Sequence, residues 1–172
     1  MTSGGAVTDS GTLAITGATT ISASGQDITL DEAASTFGTL ALTGANVAVT
    51  ENAATDLGAS TVGGTLGITS AGAVTDSGTL AITGATTISA SGQDITLDEA
   101  ASTFGTLALT GSNVAVTENA AMDLGASTIG GTANFNSTSN VITDSGTLAI
   151  TGATTINAGT ADITLDQASS TF

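Results

Sequence analysis

The chain has 172 residues and 15 acidic side chains but no lysine, arginine or histidine, which gives a formal net charge of −15 at pH 7. Without cationic side chains it cannot replace the counterions of nucleic acid or bind an anionic membrane surface. It also has no cysteine, so disulfide frameworks and thiolate metal sites are excluded. Apolar residues make up 40% of the chain and charged residues only 9%, so we expect it to fold.

Short stretches in which apolar residues alternate with Thr, Ala or Gly follow one another along the chain. Such alternation predicts β-strands, and the enrichment in Thr, Val and Ile supports this. In chain order, the alternating apolar positions of the first repeat are Leu13 and Ile15, Ile28 and Leu30, Leu40 and Leu42, Val47 and Val49, and Leu66 and Ile68. The Gly, Ala, Ser, Asn and Asp residues between them predict tight corners. No window shows apolar residues at helical spacing, so the sequence predicts an all-β fold.

A long repeat organises these stretches. The segment 5–71 aligns without gaps on 72–138, and 139–172 begins a third, partial copy after a short insertion. Within 5–61 the second copy differs at only two positions, where Ser112 replaces Ala45 and Met122 replaces Thr55. Near-identity at a fixed period predicts units that stack on their neighbours. We therefore interpret residues 1–172 as one continuous domain that is a piece of a longer array.

Many short strands, tight corners and a long period predict a parallel β-helix, or β-solenoid. If one coil takes about 22 residues, about three coils fit one 67-residue repeat. Strands stacked about 4.8 Å apart would then make a rod roughly 35 Å long. A Phe that precedes the next "GTL" is expected to fill a core or corner position. The predicted core residues are Leu13, Ile15, Ile28, Leu30, Phe37, Leu40, Leu42, Val47, Val49, Leu80, Ile82, Ile95, Leu97, Phe104, Leu107, Leu109, Val114, Val116 and Phe172.

The stretches "VGGTLGITSAGAVTDSGTLAITGATTISA" (62–90) and "DITLDEAASTFGTLALTGANVAVT" (27–50) resemble the repeat regions of filamentous-haemagglutinin-like proteins, which are very large bacterial surface and secreted proteins. The resemblance covers nearly the whole chain. It implies a right-handed parallel β-helical shaft, secretion across a bacterial envelope, and a role in adhesion, aggregation or surface coating. It implies no catalytic or ligand-binding residue. Repeats of that family usually contain some Lys, Arg and Tyr, which this chain lacks.

The residue inventory argues against catalysis. Ser and Thr are abundant, but no His or Lys is present to act as a base for them. The two Asp of "DITLDE" are four positions apart, which is about 13 Å along a strand. The paired carboxylates of glycosidases are separated by about 5–9.5 Å. We therefore expect that the protein is not an enzyme and binds no cofactor, with calcium as the one candidate ion.

Calcium takes oxygen ligands from carboxylates and backbone carbonyls, and an all-acidic chain has no cationic side chain of its own. The candidate positions for a weak calcium site, all within the two "DITLDE" stretches, are Asp27, Asp31, Glu32, Asp94, Asp98 and Glu99. No EF-hand loop and no nonapeptide calcium repeat is present. The alternative interpretation is that these acids are solvated at turns and keep the protein soluble.

These observations predict a non-enzymatic structural repeat, the shaft of a giant bacterial surface or secreted protein, located outside the cell. Stacked strands would make a stiff rod whose length increases with the number of repeats. Two alternatives remain open. Copies could associate end to end or side by side into a filament, sheath or matrix, or the outward Thr, Asn and Asp side chains could bind a glycan or a cell surface. We expect no nucleic-acid partner and no membrane insertion.

Overall fold

The computed structural model describes residues 1–172, which form strands and turns and no helix. The strands are short because small or polar residues turn the chain after each of them. No part of the chain is a helix that could serve as a membrane span. The strands are β1 (Val7–Thr8), β2 (Thr19–Ser22), β3 (Ile28–Leu30), β4 (Thr39–Gly44), β5 (Val47–Glu51), β6 (Thr55–Leu57), β7 (Ser60–Val62), β8 (Leu66–Ser70), β9 (Val74–Asp76), β10 (Leu80–Ile82), β11 (Thr86–Ser89), β12 (Ile95–Leu97), β13 (Thr106–Gly111), β14 (Val114–Glu118), β15 (Met122–Leu124), β16 (Ser127–Ile129), β17 (Ala133–Ser137), β18 (Ile142–Asp144), β19 (Leu148–Ile150), β20 (Thr154–Asn157) and β21 (Ile163–Thr164).

Every strand pair is parallel, and the strands form two sheets of 11 and 10 strands. In each coil the chain passes from one sheet to the other and back. The path β1-β3-β5-β8-β11-β13-β15-β18-β21 through the larger sheet contains eight steps from one coil to the next. At about 4.8 Å per step the rod is about 38 Å long. The prediction of an all-β, parallel β-solenoid is confirmed.

The coils are shorter than the length expected from the sequence. The first coil runs from Val7 to its pairing partner Ile28, and the next from Ile28 to Val47. A still shorter coil leads from Leu107 to Leu124. Such short coils are possible because the corners are rich in Gly, Ala and Ser, which turn the chain within a few positions.

One 67-residue repeat therefore takes about three and a half coils rather than three. Three coils lead from Ile28 through Val47 and Leu66 to Thr86, all in the larger sheet. A further half coil brings the chain to Ile95, which is the repeat equivalent of Ile28 but lies in the smaller sheet. The pairs β4 and β13, and β5 and β14, change sheets in the same way. Both sheets of the solenoid consequently receive the same strand sequences.

The two "TLALTG" strands, β4 and β13, are the longest of the chain. In the next coil each pairs with two shorter strands, β4 with β6 and β7, and β13 with β15 and β16. Gly58 and Gly125 lie in the breaks between those shorter strands. A Cβ at Gly58 would lie 2.9 Å from Thr39 Cγ2, and a Cβ at Gly125 would lie 2.9 Å from Thr106 Cγ2. Glycine thus allows the broken coil to stay close to the continuous one.

One apolar cluster runs along the inside of the rod. The predicted core residues that are buried are Ile28, Leu30, Phe37, Leu40, Leu42, Val47, Val49, Leu80, Ile82, Ile95, Leu97, Phe104, Leu107, Leu109, Val114 and Val116. Leu13 and Ile15, in the first coil, are only partly buried and pack against this cluster. The prediction of Phe172 as a core residue is wrong, because its side chain is 58% exposed. Its equivalents Phe37 and Phe104 are buried because neighbouring coils cover them on both sides.

A tight turn precedes each "DIT" strand. Gly25, Gly92 and Gly159 occupy it with φ of 73°, 75° and 60°, a conformation that residues with a Cβ rarely adopt. In the first copy the Gln26 N–H donates to the Ala23 carbonyl at 2.8 Å. This turn places an aspartate, Asp27 in the first copy, at the corner of the rod.

Candidate functional site: the polar corners of the coils

Asp27 begins a ladder of polar side chains along one corner of the rod. Its Oδ1 accepts hydrogen bonds from the N–H and the Nδ2 of Asn46 in the next coil, at 3.1 and 2.9 Å. Asn46 Oδ1 accepts in turn from the N–H and the Oγ1 of Thr65 in the coil after, at 3.0 and 3.1 Å. The three residues join three coils. Asp27 Oδ1 and Asn46 Oδ1 each accept two hydrogen bonds. The coils are therefore linked at this corner without any cationic side chain.

The second repeat builds the same ladder on the opposite sheet from Asp94, Asn113 and Thr132. Hydrogen bonds from the Asn113 backbone and then from its side chain lower the pKa of Asp94. The carboxyl of Asp94 is therefore held in the ionised form, as an acceptor.

A second set of aspartates lies at the ends of the "VTD" and "ITD" strands and at the equivalent place in the first coil. Asp76 Oδ1 accepts from the Asp98 N–H at 2.9 Å, and Oδ2 accepts from the Glu99 N–H at 3.4 Å. Burial raises the pKa of Asp76, and the two backbone hydrogen bonds only partly offset that rise. Asp9 and Asp144 accept in the same way from the N–H groups of Asp31 and Asp166. Each of these carboxylates thus caps the corner of the coil that follows it.

Buried serine hydroxyls complete the links between coils. Ser102 Oγ accepts from the Leu80 N–H at 3.0 Å. Ser127 Oγ accepts from the Leu109 N–H at 3.0 Å and donates to the Gly125 carbonyl at 3.0 Å. The first repeat has the same contacts through Ser35 and Ser60. These side chains satisfy backbone groups where the strand ladder is interrupted.

The six candidate calcium ligands do not come together in the structure. No group of three or more acidic side chains is placed to hold a metal ion. Asp27 and Asp94 accept hydrogen bonds from Asn46 and Asn113, as described above. The other four candidates lie at the corners that follow the strands β3 and β12. There the aspartates Asp31 and Asp98 are exposed, and the glutamates Glu32 and Glu99 are half-buried.

Two buried glutamates are not among the residues that the sequence predicts as a site. Glu51 is 2% exposed and Glu118 is 0% exposed. Glu51 Oε1 accepts from the Phe37 N–H at 2.7 Å, and Glu118 Oε2 accepts from the Phe104 N–H at 2.9 Å. The other carboxylate oxygen of each residue is buried without a hydrogen-bond partner. The alternation of β5 could have revealed Glu51, because it follows Val49 by two positions and so points inward.

The two glutamates differ in one neighbouring residue. Burial raises the pKa of Glu51, while the Phe37 N–H and then the nearby Thr55 hydroxyl lower it in part. The Thr55 hydroxyl itself donates to Ser70 Oγ at 3.0 Å, so it lies beside the carboxyl and leaves the second carboxylate oxygen without a hydrogen bond. Burial raises the pKa of Glu118 to about 8, and only the Phe104 N–H acts against it. Met122 occupies the position that is equivalent to Thr55, so the second carboxyl lacks this polar neighbour.

The outer surfaces of both sheets carry mostly small side chains in rows along the rod axis, with Asp56 on the smaller sheet and Asp123 on the larger one. One row of the larger sheet joins five positions that are paired from coil to coil, Thr50, Thr69, Ser89, Thr110 and Thr128. This row contains no aromatic and no basic side chain. Its side chains are exposed or half-buried hydroxyls.

A family model described as repeats of unknown function (DUF5649) matches residues 1–43, 44–110 and 111–172. The middle match is as long as one repeat of the sequence, from residue 5 to residue 71. No curated protein and no solved structure matches the chain.

Proposed function

Because the chain belongs to the DUF5649 family of repeats over its whole length, and because these repeats stack without a break into one rod, we propose that it is a non-enzymatic structural repeat. It would form a stiff extracellular rod or fibre, as in the shaft of a giant bacterial surface or secreted protein. The extracellular and adhesin-like setting rests on the resemblance of its repeats to filamentous-haemagglutinin-like proteins. Stiffness is the property that the geometry of the coils supports best.

The main evidence for this proposal is that strand pairing and backbone hydrogen bonds continue without interruption across the boundary between two repeats. The boundary between residues 71 and 72 lies in the corner between β8 and β9. Strand β8 pairs with β5 and β11, and strand β9 pairs with β6 and β12. Both strands next to the boundary are therefore paired on both sides, as strands within a repeat are. Gly72 N–H donates to the Ala53 carbonyl at 3.0 Å, and Ser70 Oγ donates to the same carbonyl at 2.8 Å. A joint between repeats is therefore as closely bonded as any other corner. We therefore expect the joint between repeats to resist bending as much as the rest of the rod does.

Electron microscopy and small-angle scattering of the purified chain test this proposal. We expect separate, straight particles about 38 Å long, with a distance distribution that a rod gives and a sphere does not. Adding a further copy of residues 72–138 should lengthen the particle by about 17 Å, because it adds three and a half coils. A compact particle, or a length that does not change with the added repeat, would contradict the proposal.

End-to-end association of copies is the second candidate function. The first coil leaves an apolar groove of about 750 Å³, whose apolar lining includes Val7, Leu13, Ile15, Ile21, Leu30 and Phe37. At the other end Ile163 and Phe172 are 46% and 58% exposed. Open strand edges with apolar interiors can pair with another chain. Long unbranched filaments in the same micrographs would support this candidate, and filaments that bundle only in millimolar calcium would assign a role to the surface acids.

A further inference from the structure

We propose that the corner closed by Glu51, and in the next repeat by Glu118, is a proton-controlled latch: it holds firmly when the carboxyl is protonated and loosens when the carboxyl ionises. The proposal concerns a property of the rod that its role as a structural repeat does not require.

The glutamate carboxyl takes the place of a backbone acceptor that is missing between two neighbouring coils. The Thr36 N–H donates to the Leu13 carbonyl in the coil below, and the Asn52 N–H of the coil above donates to the Ser35 carbonyl. The Phe37 N–H has no backbone acceptor at this corner and is instead bound by the Glu51 side chain. The carboxyl thus holds the "STF" corner of one coil to the strand β5, which leads into the coil above it. In the second repeat Glu118 holds Phe104 in the same way.

Only a proton can neutralise this carboxyl within the chain. The sequence has no lysine, arginine or histidine, and no group of acids is placed to share a metal ion. Strands β3 and β8 pair with β5, and β12 and β17 pair with β14, and none of these four strands contains a charged side chain. The acids that follow β3 and β12, which are Asp31, Glu32, Asp98 and Glu99, lie at the next corner, where they are exposed or half-buried.

An ionised carboxylate is poorly accommodated here, because one oxygen has a single donor and the other has none. A buried charge without a partner is strongly disfavoured, so the group keeps its proton instead. Burial accordingly raises the pKa of Glu118 from its usual value of 4.5 to about 8. Because the folded-state pKa is the higher one, the latch contributes its full stability below pH 4.5 and loses it as the pH rises through about 8.

The two copies supply a natural comparison. The Thr55 hydroxyl lowers the pKa of Glu51, and Met122 at the equivalent position offers no hydroxyl to Glu118. The Glu118 latch should therefore open at a higher pH than the Glu51 latch. Exchanging the two residues should move the midpoints in opposite directions.

The direct test is a ¹³C NMR titration of the glutamate Cδ atoms in the full chain, whose glutamates are Glu32, Glu51, Glu99 and Glu118. We expect the signals of Glu51 and Glu118 to titrate above the usual glutamate pKa of 4.5, with that of Glu118 near pH 8. Met122→Thr should lower the Glu118 midpoint and Thr55→Met should raise the Glu51 midpoint. Signals of Glu51 and Glu118 that titrate at the usual glutamate pKa, or substitutions that leave both midpoints unchanged, would overturn the proposal.

A second measurement connects titration to the strength of the corner. The melting temperature of the unmodified chain should fall between pH 5 and pH 9. Glu118→Gln keeps the shape of a neutral carboxyl, so this variant should lose less of its melting temperature over that range. Glu32→Gln is the control, because Glu32 is half-buried at the equivalent corner of the first repeat and this variant should keep the full dependence. Equal behaviour of the two variants would refute the latch, and if Glu118→Gln fails to fold, the NMR midpoints of the unmodified chain decide the question.

Discussion

At the scale of single residues, the corners are held by amide and carboxylate side chains rather than by ion pairs. Asn113 shows the pattern most fully, since its Oδ1 accepts two hydrogen bonds from Thr132 while its N–H and Nδ2 donate to Asp94. An amide can donate and accept at once, and can therefore link the coil below to the coil above. A carboxylate in the same place could only accept.

We predict that Asn113→Ala lowers the free energy of unfolding by about 1 kcal/mol, which is typical for the loss of exposed hydrogen bonds. The pKa of Asp94 should rise at the same time, because a donor that lowers it is removed. Chemical denaturation and carboxyl NMR measure the two effects. Asn134→Ala is the control, since Asn134 is exposed on β17 and lies outside the ladder. An equal loss in both variants would show that the ladder contributes nothing specific.

At the scale of the elements, close stacking of coils depends on where glycine is placed. Gly17 and Gly84 are equivalent residues in successive repeats. A Cβ at Gly84 would lie 2.6 Å from the Gly64 carbonyl oxygen of the coil below, whereas a Cβ at Gly17 would have no neighbour within 4 Å. The difference arises because Gly84 faces the backbone of a neighbouring coil and Gly17 does not.

We therefore predict that Gly84→Ala destabilises the protein by about 1–3 kcal/mol, as overpacking does, and that Gly17→Ala has little effect. Backbone atoms on the neighbouring coil cannot move aside as a flexible side chain would. Thermal unfolding of the two variants, which carry the same substitution in the same local sequence, gives the comparison. A similar change in melting temperature for both would mean that local backbone preference, and not stacking, explains the glycine.

The phenylalanine corner gives a second comparison between equivalent positions. Phe104 is 5% exposed and Phe172 is 58% exposed. Phe104→Ala should cost about 3–5 kcal/mol, the usual range for a buried phenylalanine. Phe172→Ala should change the free energy of unfolding far less, because its ring already contacts water. Urea denaturation of both variants measures this, and equal losses would contradict the assignment of Phe172 to the open end of the rod.

Much of this element structure could be predicted from the sequence, because alternation of apolar and small polar residues marks the strands directly. The coil length could not. The phrase "GTL" recurs on different faces of the rod, and β4 and β13 each pair with two shorter strands, so the spacing of phrases does not equal the length of a coil. Glu51 follows Val47 and Val49 in the alternation of β5, which places its side chain inside the rod. It is not among the site residues predicted from the sequence, because an acidic side chain is ordinarily expected to be exposed.

At the scale of the whole molecule, 15 negative charges act on one another with only the N-terminal amine to oppose them. Self-repulsion destabilises a compact state, and salt screens it over about 10 Å at 0.1 M. We predict that the melting temperature at pH 7 rises when sodium chloride is increased from about 10 to about 500 mM. Differential scanning calorimetry tests this. Sodium chloride is used rather than sodium sulfate, because sulfate also stabilises folded proteins by being excluded from their surface. A melting temperature that falls or stays constant would show that repulsion among the acids does not limit the stability of the fold.

Because one repeat takes about three and a half coils, equivalent strands of successive repeats lie on opposite sheets of the rod. A long array of such repeats therefore has a two-fold screw axis along its length. Each step of about 17 Å along the axis is combined with a rotation of half a turn, and the same face returns after about 34 Å. Oriented fibres of such an array should diffract with a meridional spacing near about 17 Å besides the strand spacing of about 4.8 Å. A ligand that recognises one corner would find its sites alternating on the left and right of the rod, so the array has no distinct front and back.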